Sequence, residues 1–587
     1  MANVGASTRL VFAVDYGTTF TDTYDPSRQI NFCTDYDIRF AHGQVRDGDT
    51  GLDFRQIRAI TSWPGNQGTY SGEKVPSEIS YESAPDAAKQ WGANIYPGSL
   101  TVAFTKLEFE PQDRVEELKS ILSALKGMMN LKFAELRKAP GGFPKYPART
   151  AVEIATNFLM KIREYVTDEL DRDNSRNETV RQTVPIDLVV TIPAEWSAPA
   201  RNRTFQAVTQ AGFDQMNFPT LHQIIFVSEP EAAALYTLTE VHRQGHLRIR
   251  EGDSFILCDA GGGTADVISY RITSVTPEFR MAQIGWAGSS RCGASFIDRE
   301  FRKWLQRKLG EDIYSKLAQE SPEQDLSAHK VMGPDLRRVM SEFEPIKRAF
   351  GDPSAAKENY IELPNSLGID DNQENDIMNG EIRITAETMR EIFEPCVEGV
   401  VDLISAQITQ VERARSKTRC IFLSGGFANS DHLLNEVRRF ARERDRIEVY
   451  RGPNPQAAVL FGAVAKGMGY GSGGKITAFA CPRHFGIVLS HTFASWQHSE
   501  TDVYADRFDG MRRAESQMTW LVRKGDGIFS DRPIEQSVDI GRKFGSKDER
   551  KFRATLVACD EDTPPETFSK VPSRKYPLNG EGWRSDC

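Results

Sequence analysis

The stretch Asp259-Ala-Gly-Gly-Gly-Thr-Ala-Asp266 holds two acids, three glycines and a hydroxyl within eight residues. Phe255-Ile-Leu-Cys258 precedes it and Val267-Ile268 follows, so the pattern predicts strand, tight glycine turn, strand. Consecutive glycines let the backbone approach a bulky ligand and leave N–H groups free to face it. Thr264 adds a hydroxyl. Asp259 and Asp266 would repel a bare phosphate, but acid beside a phosphate cradle makes sense when a divalent cation lies between them. The expected chemistry is a metal–nucleotide site. A β-hairpin can also need glycines for its turn and nothing more, so the other parts of such a site must be found elsewhere.

A second stretch supplies a match. Residues 9–15, Arg-Leu-Val-Phe-Ala-Val-Asp, read as a buried strand ending in an acid, and Tyr16-Gly-Thr-Thr19 follows. Gly-Thr turns are common and one alone is unremarkable. Paired with the later stretch, this one points to two related halves facing one ligand.

The elements that must position these turns alternate. Residues 148–170 have a helical face of Val152, Ala155, Phe158, Leu159 and Ile162. Asp187-Leu-Val-Val-Thr-Ile-Pro193 reads as a buried strand. Ser197 could cap the helix that follows, with Pro199 in its first turn. Ile224-Ile-Phe-Val227 is a strand ending just before Glu229, which starts a Pro- and Ala-rich helix. The alternation indicates α/β layers. Thr101 to Phe109 is strand-like and carries Lys106, a residue type that is usually a solvated surface charge. Glu344, Lys347 and Arg348 cluster within one helical turn, where a charged solvent face is the ordinary outcome. Pro345 beside them should kink that helix or leave a carbonyl unpaired. Cys420 to Ser424 is a strand running into Gly425-Gly426, which would let a flat group lie against the backbone.

Composition bounds the answer. The chain has 587 residues, 39% hydrophobic and 26% charged, which is ordinary for a soluble protein of several subdomains. A net charge of -9 argues against a mainly nucleic-acid-binding role. No apolar run is long enough for a bilayer, and the N-terminus has no signal pattern, so a cytoplasmic location is expected. The eight cysteines are scattered without a CxxC pair, which indicates neither a zinc site nor a disulfide framework.

Taken in order, Val14-Asp-Tyr-Gly-Thr-Thr19, Val190-Thr-Ile-Pro-Ala194, Ser228-Glu-Pro-Glu-Ala-Ala-Ala234, Asp259 to Asp266, Glu344 with Lys347 and Arg348, and Ser424-Gly-Gly426 resemble the actin/hexokinase ATPase superfamily. Within it they are most similar to the heat-shock-70 chaperones, and to the divergent type-twelve-like branch that also occurs widely in fungi. The resemblance implies an α/β actin-like ATPase fold: two lobes, duplicated ribonuclease-H-like domains around a nucleotide cleft, plus a short β-rich C-terminal region. It implies a nucleotide-binding domain over residues 9–468, with lobe I about 9–245 and lobe II about 246–468. A Gly-rich linker (469–476), a reduced substrate-domain-like region (477–562) and a tail expected to be disordered (563–587) would follow.

The resemblance also assigns roles. Gly17, Thr18 and Thr19 would form one phosphate loop, and Gly261, Gly262, Gly263 and Thr264 the other. Asp15 and Asp259 would hold magnesium through water, Glu229 would position the attacking water, and Lys106 would be the catalytic lysine. Glu344, Lys347 and Arg348 would hold the adenosine with Gly425 and Gly426 against it, and Gly293 would be a further contact. The implied ligands are ATP or ADP and magnesium, with potassium as a further candidate ion. The implied partners are unfolded polypeptide clients, J-domain co-chaperones and nucleotide-exchange factors, with no nucleic acid and no membrane.

The expected function is ATP hydrolysis driving lobe opening and closing in a chaperone or chaperone-like switch. The alternatives are a recruitment module with little turnover and, less favoured, a small-molecule kinase of the same fold. Three features depart from the family. Phe427 follows the Gly-Gly pair in place of a small hydroxyl residue. Asn429 stands near the place of an adenine-stacking arginine. The apolar interdomain linker is replaced by Gly471-Ser-Gly-Gly474.

Overall fold

The structure is a computed structural model. It describes residues 8–16, 38–46, scattered positions from 54 to 109, 149–172, and most of 180–318, 334–468 and 474–529. Isolated positions between 536 and 568 are also described. Gly17, Thr18, Thr19, Ser197, residues 469–473 of the expected linker and the tail beyond 568 lie outside the described residues.

Two sheets with the same internal order organise the chain. The first contains β1 (Thr8–Tyr16), β2 (Ile38–Arg46) and β3 (Arg58–Ala59). A separate short ladder, β4 (Ile79–Ser80) with β5 (Thr101–Val102), precedes the last two strands of the first sheet, β6 (Ile186–Ile192) and β7 (Leu221–Ser228). The spatial order is β3-β2-β1-β6-β7. The first three strands are antiparallel neighbours, and β6 and β7 add in parallel.

The second sheet contains β8 (Ser254–Ala260), β9 (Ala265–Ser274) and β10 (Phe279–Ser290). After an inserted small sheet of β11 (Glu358–Glu362), β12 (Ile377–Met378) and β13 (Glu381–Thr385), it resumes with β14 (Thr418–Ser424) and β15 (Glu448–Arg451). Its order, β15-β14-β8-β9-β10, again places strand four beside strand one, with the same parallel and antiparallel relations. The order of strands within each half thus repeats.

The β1 run is apolar at every position from Leu10 to Val14 because both of its faces are covered. Leu10, Phe12 and Val14 pack with Ile154, Phe158 and Ile162 of helix Ala151–Arg172. Val11 and Ala13 pack in the cluster that includes Leu460 and Val464 of helix Ala458–Gly467. This helix follows the second sheet in sequence yet lies on the first. Where it crosses helix Glu229–Arg243, a Cβ on Gly462 would stand 1.8 Å from the Ala232 carbonyl oxygen. Lys466 and Glu231 pair across the same crossing at 2.7 Å.

Several local expectations change. Of the described residues in the strand-like run from Thr101, Thr101–Val102 are strand, and Lys106 lies in a turn closed by Phe109 N–H donating to the Lys106 carbonyl, at 3.0 Å. Helix Pro334–Ala349 runs through Pro345, which sits on its exposed side. Strand β16 (Gly474–Ala480) begins inside the expected linker and pairs in parallel with β10, extending the second sheet.

The remaining strands are β17 (His484–Thr492), β18 (Val503–Ala505), β19 (Arg512–Val522), β20 (Gly527–Phe529) and β21 (Leu556–Cys559). Strand β20 pairs with β16, while the others form a sheet of order β18-β19-β17-β21. The register of β10 shifts between Ile284 and Gly288. There the Gln410 carboxamide accepts from Trp286 N–H at 2.9 Å, and Gln407 and Gln410 both donate to the Trp286 carbonyl. The Trp286 ring so presented lies 5.2 Å from Lys524 Nζ, beside the turn that leads into β20.

Candidate functional site

The glycine turn joins β8 to β9 as a hairpin, with Asp259 opposite Asp266 and Ala260 opposite Ala265. Its shape is set from behind. Gly293 is the residue before helix Ala294–Leu309, and a Cβ there would stand 2.3 Å from the Gly262 oxygen and 2.6 Å from Gly263 N. Gly293, Ala294 and Ser295 N–H groups donate to the carbonyls of Gly263, Gly261 and Gly262, and Ser295 Oγ also donates to Gly262. The helix N-terminus thus takes up the carbonyls of the turn. Gly261 N–H returns to Thr264 O at 2.9 Å, whereas the N–H groups of Gly262, Gly263 and Thr264 donate to no described residue. Those three are the donors left for an anion.

Acids from both halves converge beside this turn. Asp15 ends β1 and accepts from Thr191 Oγ1 at 2.6 Å. Asp259 ends β8 and accepts from Ser424 Oγ at 3.2 Å. Glu229, at the start of helix Glu229–Arg243, meets Lys106 Nζ at 2.7 Å. Lys106 is itself only 3% exposed and stands 5.4 Å from the centre of the Trp196 ring. The lysine is therefore no surface charge.

Burial pushes the Asp259 carboxyl up to about 8, and Asp266, Glu229 and Asp15 add to the effect while Ser424 opposes it. Burial raises Glu229 too, against the pull of Lys106, with Asp15 and Asp266 raising it further. Asp266 is likewise raised by burial, opposed by hydrogen bonds from Ser289 and Thr264. Neighbouring carboxylates thus make both Asp259 and Glu229 harder to ionise. Among the described residues, no group of three or more His, Cys, Asp or Glu side chains is spaced to hold a metal ion directly. The donors present are hard oxygens, a set that suits magnesium retaining its water ligands.

Glu344, Lys347 and Arg348 form one ion network. Lys347 Nζ stands 2.6 Å from Glu344 and 2.7 Å from Asp298 of the neighbouring helix, and Arg348 Nε reaches Glu344 at 2.8 Å. Burial works against the Lys347 charge, but Asp298 and Glu344 hold its ammonium above the ordinary lysine range. Arg348 is largely exposed, so the network runs from the interior to the surface.

Gly425 has φ +89°, and a Cβ on it would meet the Ala260 oxygen at 2.3 Å and Asp259 Oδ1 at 2.6 Å. Gly426 begins the 3-10 turn Phe427–Asn429. The Phe427 ring is buried in the core against Phe393. Asn429 is exposed, and its carbonyl accepts from Arg451.

Thr191, Ser424, Ser295 and Asp298 were not assigned from the sequence, and Asp266 belongs to the acid cluster. A signal for two of them existed: each half has an apolar strand interrupted by one hydroxyl, Val190-Thr-Ile and Phe422-Leu-Ser.

Two α/β halves of equal strand order, with acids meeting beside a glycine hairpin, define an actin-like ATPase fold. No family model matches the chain. It is 22% identical over 559 residues to human heat shock 70 kDa protein 12B, covering 84% of this chain and 73% of that protein. It is 23% identical to human heat shock 70 kDa protein 12A over 456 residues, covering 67% of this chain and 62% of that protein. The chaperone protein HscA of Pectobacterium atrosepticum matches at 24% over 204 residues, 33% of this chain and 29% of that protein. The chain is thus similar, at 22–24% identity, to heat-shock-70 proteins that include the type-twelve members. No helix among the described residues is long and apolar enough to cross a membrane.

Proposed function

We propose that the chain binds ATP or ADP with magnesium between the two halves and hydrolyses ATP, acting as a chaperone-like nucleotide switch in the cytoplasm. The observation that carries this reading is the Lys106–Glu229 contact of 2.7 Å, set among Asp15 of the first half and Asp259 and Asp266 of the second. Phosphoryl transfer to water asks for positioning and charge neutralisation more than for covalent help. A cation in a buried site stabilises charge developing on a phosphoryl group, and a fixed carboxylate beside it can orient a water.

In this reading Gly262, Gly263 and Thr264 N–H groups cradle phosphate oxygens, with Gly261 closing the turn. Gly17, Thr18 and Thr19 form the opposing loop. Asp15 and Asp259 hold magnesium through its water ligands, and that ion offsets phosphate charge when bound. Glu229 orients the attacking water and Lys106 stabilises the leaving charge. Glu344, Lys347 and Arg348 hold the adenosine beside Gly425 and Gly426, and Gly293 supports the phosphate turn from behind. Potassium is a second candidate ion. Polypeptide clients, J-domain co-chaperones and nucleotide-exchange factors are the partners this reading calls for, with 9–468 as the nucleotide-binding domain.

Single-turnover hydrolysis tests the proposal. Wild type hydrolyses bound ATP. Lys106→Ala keeps nucleotide binding and loses on the order of 10²-fold in rate. Asp259→Ala loses the magnesium dependence of binding. Tight magnesium–ATP binding with no turnover in wild type would favour a recruitment module instead, and an unchanged rate in Lys106→Ala would remove that lysine from catalysis.

A further inference from the structure

We infer that Thr191 and Ser424 are a matched pair of positioning residues, one in each half, that fix the two strand-end aspartates for a magnesium–nucleotide complex. The inference rests on the nucleotide-binding reading and adds to it a role for two hydroxyls.

The two sites are equivalent by topology. Asp15 ends the first strand of its sheet and Asp259 the first strand of the other. In each sheet the parallel neighbour is the fourth strand, β6 or β14. Val14 pairs with Val190, which brings Thr191 alongside Asp15, and Ser424 pairs directly with Asp259. Thr191 Oγ1 donates to Asp15 Oδ1 at 2.6 Å, and Ser424 Oγ donates to Asp259 Oδ1 at 3.2 Å. The same group on the same strand thus meets the same acid twice.

Residue type supports the assignment. Thr191 is 1% and Ser424 0% exposed, in strands otherwise rich in Val, Ile, Leu and Phe. A buried hydroxyl costs free energy unless it is hydrogen-bonded, and an apolar side chain at these positions would pack without that cost. The acid is the partner that accounts for both hydroxyls. At Asp259 the grip is two-sided, because Gly425 packs so closely that a Cβ there would stand 2.6 Å from the same Oδ1. In both acids the hydroxyl engages Oδ1 and leaves Oδ2 for the ligand. Each pair lies within one sheet, so each carboxylate is oriented before the two halves close on a nucleotide.

The test uses the full chain and a fluorescent ADP analogue, with binding measured in magnesium and in excess chelator. Wild type binds more tightly with magnesium. Ser424→Ala and Thr191→Val are expected to keep the magnesium-free affinity within about twofold and to lose about tenfold of the magnesium-dependent gain, the loss typical of one hydrogen bond to a charged group. Thr191→Ser and Ser424→Thr keep the hydroxyl and are expected to keep the gain. The unchanged magnesium-free affinity shows that the variants are folded. An undiminished gain in Ser424→Ala and Thr191→Val would overturn the inference while leaving nucleotide binding intact. Absence of any magnesium dependence in wild type would overturn the functional reading, and this inference with it.

Discussion

Asp259 is acted on from five directions: burial, three neighbouring acids and one hydroxyl. Its carboxyl stands at about 8, against an ordinary 3.8, so the folded chain holds a proton there that the unfolded chain has released. Between about pH 4 and pH 8 the folded state binds more protons, and stability therefore falls as pH rises through that window. Asp259→Asn should raise the melting temperature of the nucleotide-free, magnesium-free chain by about 2–4 °C near pH 9 and by less near pH 5. A thermal scan at both values checks this. Equal shifts would mean that the cost lies in shape rather than charge. Magnesium added to wild type should act in the same sense, because a nearby cation favours the charged carboxylate.

The glycine hairpin is only half of its element; the other half is the start of helix Ala294–Leu309, whose N–H groups hold the turn's carbonyls. Gly293 has φ -74°, so alanine there meets no backbone strain, only the Gly262 and Gly263 atoms. Gly293→Ala should therefore leave the helix nearly as stable, push the turn forward, and weaken nucleotide binding by about tenfold or more. Equilibrium binding alongside circular dichroism separates the two effects, and unimpaired binding would show that the turn can yield.

This element also shows what the sequence discloses. The hairpin was legible because its strands, glycines and acids are consecutive. Its support was not, since Ser295 lies thirty-three positions from Gly262 and carries no local pattern of its own. Lys106 was placed only by resemblance, because a lone lysine has no periodicity. Thr191 and Ser424 read as sheet interior until strand four was seen beside strand one.

For the whole molecule, the C-terminal strands are tied to the second sheet rather than appended to it. Strand β16 pairs with β10 across almost two hundred residues of sequence, a parallel contact that leaves no trace in local composition. The Trp286 ring, held out by Gln407 and Gln410, is a second tie. Trp286→Ala should speed amide exchange in β16 and β20 by about tenfold, the effect of losing one half-buried aromatic contact, while β8 keeps its protection. Unchanged exchange in β20 would show that sheet pairing alone holds the region.

The crossing of helices Glu229–Arg243 and Ala458–Gly467 constrains how the halves can move. At Gly462 one backbone lies directly on another, with space for no side chain. Turning about that point keeps the contact, whereas sliding along the helix would bring a side chain of the same face, Ala458 or Lys466, toward the Ala232 carbonyl. The crossing is a pivot and not a track. A small angle there becomes a wider sweep at the far ends of the two helices, as with the handles and blades of scissors.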